Sequence, residues 1–231
     1  MSLHGLSKLT LSLLTCLLLT VACGKGTGLR NSAAADARED LVRAMKALSD
    51  ARSYRLKTVT FTSGKALPVE GKSVMELEFS APDRWHTIFE SNLPPYNNQK
   101  IEWIIVGRES YTRVAEGPWQ KGAQEMGALF RPTTEFERGT KGVEFIRNDA
   151  LDGAQMLVYR HAFDITPDKE AEDFLTGYKG VAEIWVGVND GLPHKIEKQI
   201  EAESRPVETV KARETTTYYD YNTDIRIELP K

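Results

Sequence analysis

Downstream of Ser53 the apolar residues recur at every second position, in one short run after another, almost to the C-terminus. No other feature of the chain restricts its fold so strongly. A period of two sends successive side chains to opposite faces of a strand, so each run has one face to bury and one to wet. The alternation is plainest in Val74-Met75-Glu76-Leu77-Glu78-Phe79 and in Lys195-Ile196-Glu197-Lys198-Gln199-Ile200-Glu201. Strands are expected over residues 54–62, 74–80, 84–90, 101–106, 110–115, 154–165, 181–188, 194–202 and 208–219. Ala81-Pro82-Asp83, Gly107-Arg108-Glu109 and Asn189-Asp190-Gly191 are short turn signals between them, which makes neighbouring strands antiparallel. Two stretches break the pattern, 119–136 and 167–178, and the second reads as a short helix.

Ahead of the strands, Leu41, Met45 and Leu48 fall at helical spacing, with Asp36, Glu39 and Asp40 in the first turns, where the helix dipole favours negative charge. An amphipathic helix is expected over 35–50. Residues 23–34, with glycines among Lys, Arg, Asn and Ser and no apolar period, read as a flexible tether. Before them, Lys8 and an uncharged apolar run to Ala22 have the layout of a signal peptide over residues 1–22. The run is shorter than the about twenty residues a membrane-spanning helix needs.

Leu19-Thr20-Val21-Ala22-Cys23 resembles a bacterial lipobox, with Cys23 as the lipidated first residue of the mature protein. Acylation also disposes of a lone exported thiol. Two or three acyl chains, at about 0.8 kcal/mol per buried methylene, anchor a protein firmly to a membrane. Gly24 in place of Asp points to the outer membrane, facing the periplasm, as the default location. Both cysteines of the chain, Cys16 and Cys23, lie in this front segment, so the body has neither a disulfide nor a cysteine-ligated metal. The whole chain has 231 residues, is 41 % hydrophobic and carries a formal charge of −3, which excludes the basic footprint of a nucleic-acid binder.

Several segments in order resemble one family. After an exported N-terminal helix come Ser53-Tyr54-Arg55-Leu56, then Ser80-Ala81-Pro82-Asp83-Arg84-Trp85 and Ile105-Val106-Gly107-Arg108-Glu109-Ser110-Tyr111. Toward the end stand Glu183-Ile184-Trp185-Val186-Gly187-Val188, Asp190-Gly191-Leu192-Pro193-His194-Lys195-Ile196-Glu197 and Thr217-Tyr218-Tyr219-Asp220-Tyr221-Asn222. This order is similar to that of the periplasmic lipoprotein-carrier superfamily of LolA, LolB and the LppX/LprG lipoproteins. The resemblance implies an α+β fold, mainly antiparallel β, in which about eleven strands form a curved, incomplete barrel. An N-terminal helix and short lid helices would cover it, in a single domain over 35–231. It also implies a hydrophobic cavity that takes the acyl chains of lipids or lipoproteins.

On that reading the ligand-facing residues are Met75, Leu77, Phe79, Trp103, Ile105, Ile184, Val186, Ile196 and Ile200, beneath a lid helix carrying Leu41, Met45 and Leu48. The same residues equally make an ordinary core, because any sheet needs an apolar face. Catalytic motifs are lacking. His86, His161 and His194 show no metal-ligand spacing, and no cofactor is expected. Gly71-Lys72-Ser73 lacks the first glycine of a phosphate loop, since position 66 is Ala66, and no Gly-x-Ser-x-Gly elbow occurs. The sequence therefore predicts a non-enzymatic, monomeric envelope lipoprotein that carries or presents a hydrophobic ligand. A structural lipoprotein that uses the same sheet as a scaffold in an envelope complex is the alternative.

Overall fold

A computed structural model describes residues 34–64, 67, 69–122, 140–165, 175–204 and 209–230. Within them α1 (Ala34–Asp50) is the one helix. Ala37, Leu41, Ala44, Met45 and Leu48, spaced as one helical stripe, are all buried, and Lys46 pairs with Asp50 at 2.6 Å on the wet face. The chain leaves the helix at Ala51, whose N–H donates to the Leu48 carbonyl, and Arg52 then donates its backbone N–H to the Asn222 side chain. The C-terminal tail thereby fixes the point where helix turns into sheet.

Eleven strands follow: β1 (Ser53–Gly64), β2 (Gly71–Ser80), β3 (Arg84–Ser91), β4 (Lys100–Val106), β5 (Glu109–Val114), β6 (Gln120–Lys121), β7 (Thr140–Leu151), β8 (Ala154–Ile165), β9 (Leu175–Gly187), β10 (Pro193–Ser204) and β11 (Val210–Tyr219). All are antiparallel neighbours in one sheet, ordered β6-β5-β4-β3-β2-β1-β11-β10-β9-β8-β7. Two meanders, β1 to β6 and β7 to β11, are joined where β1 pairs with β11 over ten residue pairs from Arg55↔Tyr219 to Gly64↔Val210. The outer strands β6 and β7 do not pair with each other, so the barrel stays open.

One core cluster contains Leu41, Met45 and Leu48 of α1 together with Tyr54 and Leu56 of β1, Leu77 and Phe79 of β2, Val143 of β7, Tyr159 of β8, Ile184 and Val186 of β9, Ile196 of β10 and Tyr218 of β11. A flat sheet could not bring side chains of seven strands to a single helix. The sheet is therefore curved around α1, and the face bearing these residues is the concave one. The opposite, convex face carries cross-strand ion pairs such as Arg55–Glu78 at 2.7 Å and Lys57–Glu76 at 2.8 Å. Pairs this exposed contribute little to stability and mainly keep that face wet.

The structure changes several sequence expectations. β7 and the two-residue β6 lie where period-two counting marks no strand, so the nine strands it gives become the eleven that the resemblance implies. Periodicity misses β7 because its register slips twice, between Lys141 and Glu144 and between Phe145 and Arg147, and each bulge reverses the alternation. The helix expected over 167–178 is not borne out at its end: residues 175–178 belong to β9 and pair with β10 and β8, while 167–174 lie outside the described residues. Ala115 and Val188 fall in turns just past β5 and β9. Residues 1–33, with Cys23, also lie outside the described part, as do 123–139, where most of the other pattern-breaking stretch falls.

Candidate functional site: a cavity between helix and sheet

The concave face is built of rungs, rows of side chains in register across neighbouring strands. The inner rung runs Thr216, Ile196, Ile184, Tyr159 across β11 to β8. The next runs Thr60, Glu214, Lys198, Ala182, His161 from β1 to β8. The third runs Ala212, Ile200, Gly180, Phe163. On β9 the second and third rungs thus have alanine and glycine where their neighbours carry long side chains, and a trough opens along that strand. Gly180 is required there: a Cβ at this position would lie 2.1 Å from the Gln199 carbonyl oxygen and 2.6 Å from the Phe163 ring.

Met45 of α1 roofs this trough, leaving a cavity of about 140 Å³ walled by β8, β9, β10 and β11. Most of the wall is apolar: Phe163, Ile165, Tyr178, Ala182, Ile184, Ile196 and Ile200. An apolar cavity of about 150 Å³ is enough to hold a benzene-sized solute and stays dry when empty. Pockets that engulf whole small molecules start at about 300 Å³. In this conformation the space therefore fits the end of one hydrocarbon chain.

The wall is not wholly apolar. Lys198 Nζ lies 3.0 Å from Glu214 Oε1 across β10 and β11, with both side chains about three-quarters buried (24 % and 22 % exposed). Across Ala182 on the same rung lies His161, 6 % exposed, whose Nδ1 is 3.3 Å from the Ala162 carbonyl. Burial holds the His161 imidazole below its usual pKa, and the Lys198 charge pushes the same way, outweighing the carbonyl contact that favours the protonated ring. Next to them, Thr58 and Thr216 share a buried hydroxyl–hydroxyl hydrogen bond of 2.9 Å, and Tyr159 donates its hydroxyl to Asp40 of α1 at 3.0 Å.

Of the residues singled out in the sequence, Met45, Ile184, Ile196 and Ile200 line this cavity. Leu41 and Leu48 are packed between α1 and the sheet, and Leu77, Phe79 and Val186 are buried in that same cluster with Met75 packed against it. Trp103 and Ile105 share the concave face but sit on β4, beyond β3, where Trp103 neighbours the Phe89 ring at 6.3 Å. They do not line the cavity. Missed by sequence reasoning were His161, Phe163, Ile165, Tyr178, Ala182, Lys198, Glu214, Thr216 and Tyr218. Period-two counting could have found Lys198, since it lies midway between Ile196 and Ile200 and must share their face.

The other two histidines among the described residues stand apart from the cavity. His86 lies between Glu102 (2.8 Å) and Glu78 (3.4 Å) on the convex face, and His194 contacts Asp190 at 2.9 Å. Glu102 is held below the usual carboxylate range: burial raises it, but hydrogen bonds from Arg113 and His86 outweigh that penalty. Among the described residues no group of three or more His, Cys, Asp or Glu side chains is arranged so that it could hold a metal ion.

No protein-family model and no curated protein sequence matches this chain. Solved structures do. The Mycobacterium tuberculosis lipoprotein LppX superposes with a TM-score of 0.57 at 12 % identity, over 85 % of this chain and 100 % of LppX. LprF from Mycobacterium bovis superposes with a TM-score of 0.54 at 14 % identity, over 85 % and 97 % of the two chains. Eleven strands in one open antiparallel sheet, curved around a single described helix, give this chain the fold of the LppX and LprF lipoproteins, the kind of half-barrel that its ordered sequence motifs resemble.

Proposed function

We propose that this chain is an envelope lipoprotein, anchored through acylated Cys23, that holds a hydrophobic ligand without covalent chemistry and carries or presents it. The ligand is a lipid or the acyl chains of a lipoprotein, and the outer membrane facing the periplasm is the proposed location. The observation that carries this reading is the apolar cavity roofed by Met45, open space under the first helix of a fold shared with two lipoproteins. The mechanism is burial: each methylene moved from water into such a wall contributes about 0.8 kcal/mol. Most of the described lining side chains are apolar, and what they do chemically is exclude water.

The test is extraction of a Cys23→Ala variant under native conditions, followed by lipid mass spectrometry. A reproducible co-purifying amphiphile is the expected result. A protein that is always empty and also ignores fluorescent fatty acids defeats the carrier reading. The scaffold reading then takes its place, and one observation favours it: the close packing of Leu41, Leu48, Leu77, Phe79 and Val186, which leaves the cavity at about 140 Å³.

A further inference from the structure

The cavity is kept open at one position where the backbone does not require it. Tyr178, Gly180, Ala182 and Ile184 follow one another at every second residue on the concave face of β9, so the trough is the stretch of strand between two large side chains. Gly180 is imposed, since a Cβ there would meet the Gln199 carbonyl oxygen at 2.1 Å. Ala182 is not. It stands in regular ladder opposite Lys198 of β10 and His161 of β8, with no slip of register at either pairing, and it lines the cavity. A regular, buried strand position suits Val or Ile better than Ala. Either would fill room that, left empty, lowers stability in proportion to its volume. Ala182, 1 % exposed and the smallest of the described lining residues, therefore preserves this room at a cost to the fold.

We infer that Ala182 determines what this cavity accepts: an unbranched hydrocarbon chain lying along β9, over Ala182 and beneath Met45. The inference rests on the ligand-binding reading above and adds its specificity. Neighbouring strands lie about 4.8 Å apart. The trough on β9 thus has the width of one row of side chains, between the β8 row of His161 and Phe163 and the β10 row of Lys198 and Ile200. A polymethylene chain fits there as the missing row. A branched chain end is wider than one row and presses on the rows beside it, and closely packed side chains yield only at a cost. A larger side chain at position 182 takes the same place and excludes the ligand from it.

Two isomeric six-carbon alcohols, 1-hexanol and 3,3-dimethyl-1-butanol, test this beside monopalmitoylglycerol, with affinity read by isothermal titration calorimetry and stability by urea denaturation. The wild type should bind 1-hexanol at least about tenfold more tightly than its branched isomer. Ala182→Ile should weaken 1-hexanol at least about tenfold and at the same time raise the urea midpoint, because the side chain fills the room. Ala182→Val should move both readings in the same directions by less, and it decides the matter if Ile overfills the space. A gain in stability with a loss of binding also separates exclusion of the ligand from damage to the fold. Equal affinities for the two isomers, variants that bind 1-hexanol as the wild type does, or a midpoint lowered even by Val overturn the inference. So does a wild type that binds monopalmitoylglycerol and neither alcohol, which leaves the carrier reading standing. A wild type that binds none of the three removes both.

Discussion

Protonation of His161 is where the cavity wall meets solution pH. Burial is the main cause of its lowered pKa, and the Lys198 ammonium on the same rung adds to it. The folded state therefore binds a proton less readily than the unfolded chain, whose histidine titrates near 6.5. Above that value both states are neutral and His161 exerts no pH effect. As the pH falls through it, the unfolded state gains protons first, and stability declines until the folded pKa is reached, with a slope of at most about 1.4 kcal/mol per pH unit. Glu214, the other charge on this rung, is occupied with Lys198 at 3.0 Å. His161→Gln removes the titration, so its urea midpoint should fall less than that of the wild type between about pH 7.5 and pH 5.5. Parallel midpoints in the two proteins over that range would show that the imidazole is not buried in its neutral form. The sequence pointed to His161 only as an isolated histidine. Its place is set by β8 pairing with β9 in a register that puts it opposite Ala182.

At the scale of elements, α1 depends on its buried stripe for nearly all of its stability, because a helix of 17 residues is marginal in water by itself. Leu48, 1 % exposed, sits in the cluster shared with seven strands, whereas Val42 on the same helix is 46 % exposed. Leu48→Ala should cost about 2–5 kcal/mol, the transfer term plus the cavity it leaves. Val42→Ala should stay within about 0.5 kcal/mol of the wild type. Chemical denaturation of the two variants measures the contrast, and similar losses for both would mean that α1 is not seated as described. This helix was legible because Leu41, Met45 and Leu48 keep its period without a break. β7 was not, because two bulges reverse its faces. A different signal marked it: Asp152 and Gly153 both adopt positive φ (51° and 82°), the two-residue hairpin geometry, and a hairpin into β8 requires a strand before it.

At the scale of the whole molecule, antiparallel strands with one covered face followed from alternation and turn residues, the open half-barrel and its cavity from the resemblance of the ordered motifs, and most of the cavity's lining from neither. The volume of the cavity depends on Gly180 and Ala182 standing opposite Phe163 and His161, an adjacency of β8 and β9 that local periodicity does not encode. The same adjacency limits what the molecule can hold at rest. A space of about 140 Å³ accepts a benzene-sized group, whereas a palmitoyl chain is several times longer, so a full chain enters only if the roof moves. On the ligand-binding reading α1 is the part expected to move, since the strands are tied by backbone ladders whereas α1 meets the sheet through side chains, the Tyr159–Asp40 hydrogen bond among them. Binding of a long chain must then exchange helix-to-sheet contacts for ligand-to-sheet contacts, and the amides of α1 should open more often in the complex than in the empty protein. Hydrogen exchange read by mass spectrometry checks this with two ligands. Monopalmitoylglycerol should speed exchange over Ala34–Asp50 while slowing it in β9 and β10, and benzene should leave α1 unchanged. A palmitoyl ligand that binds tightly yet protects α1 as fully as benzene does would place the chain elsewhere on the concave face, along Trp103 and Ile105 of β4, and α1 would then be a fixed strut rather than a lid.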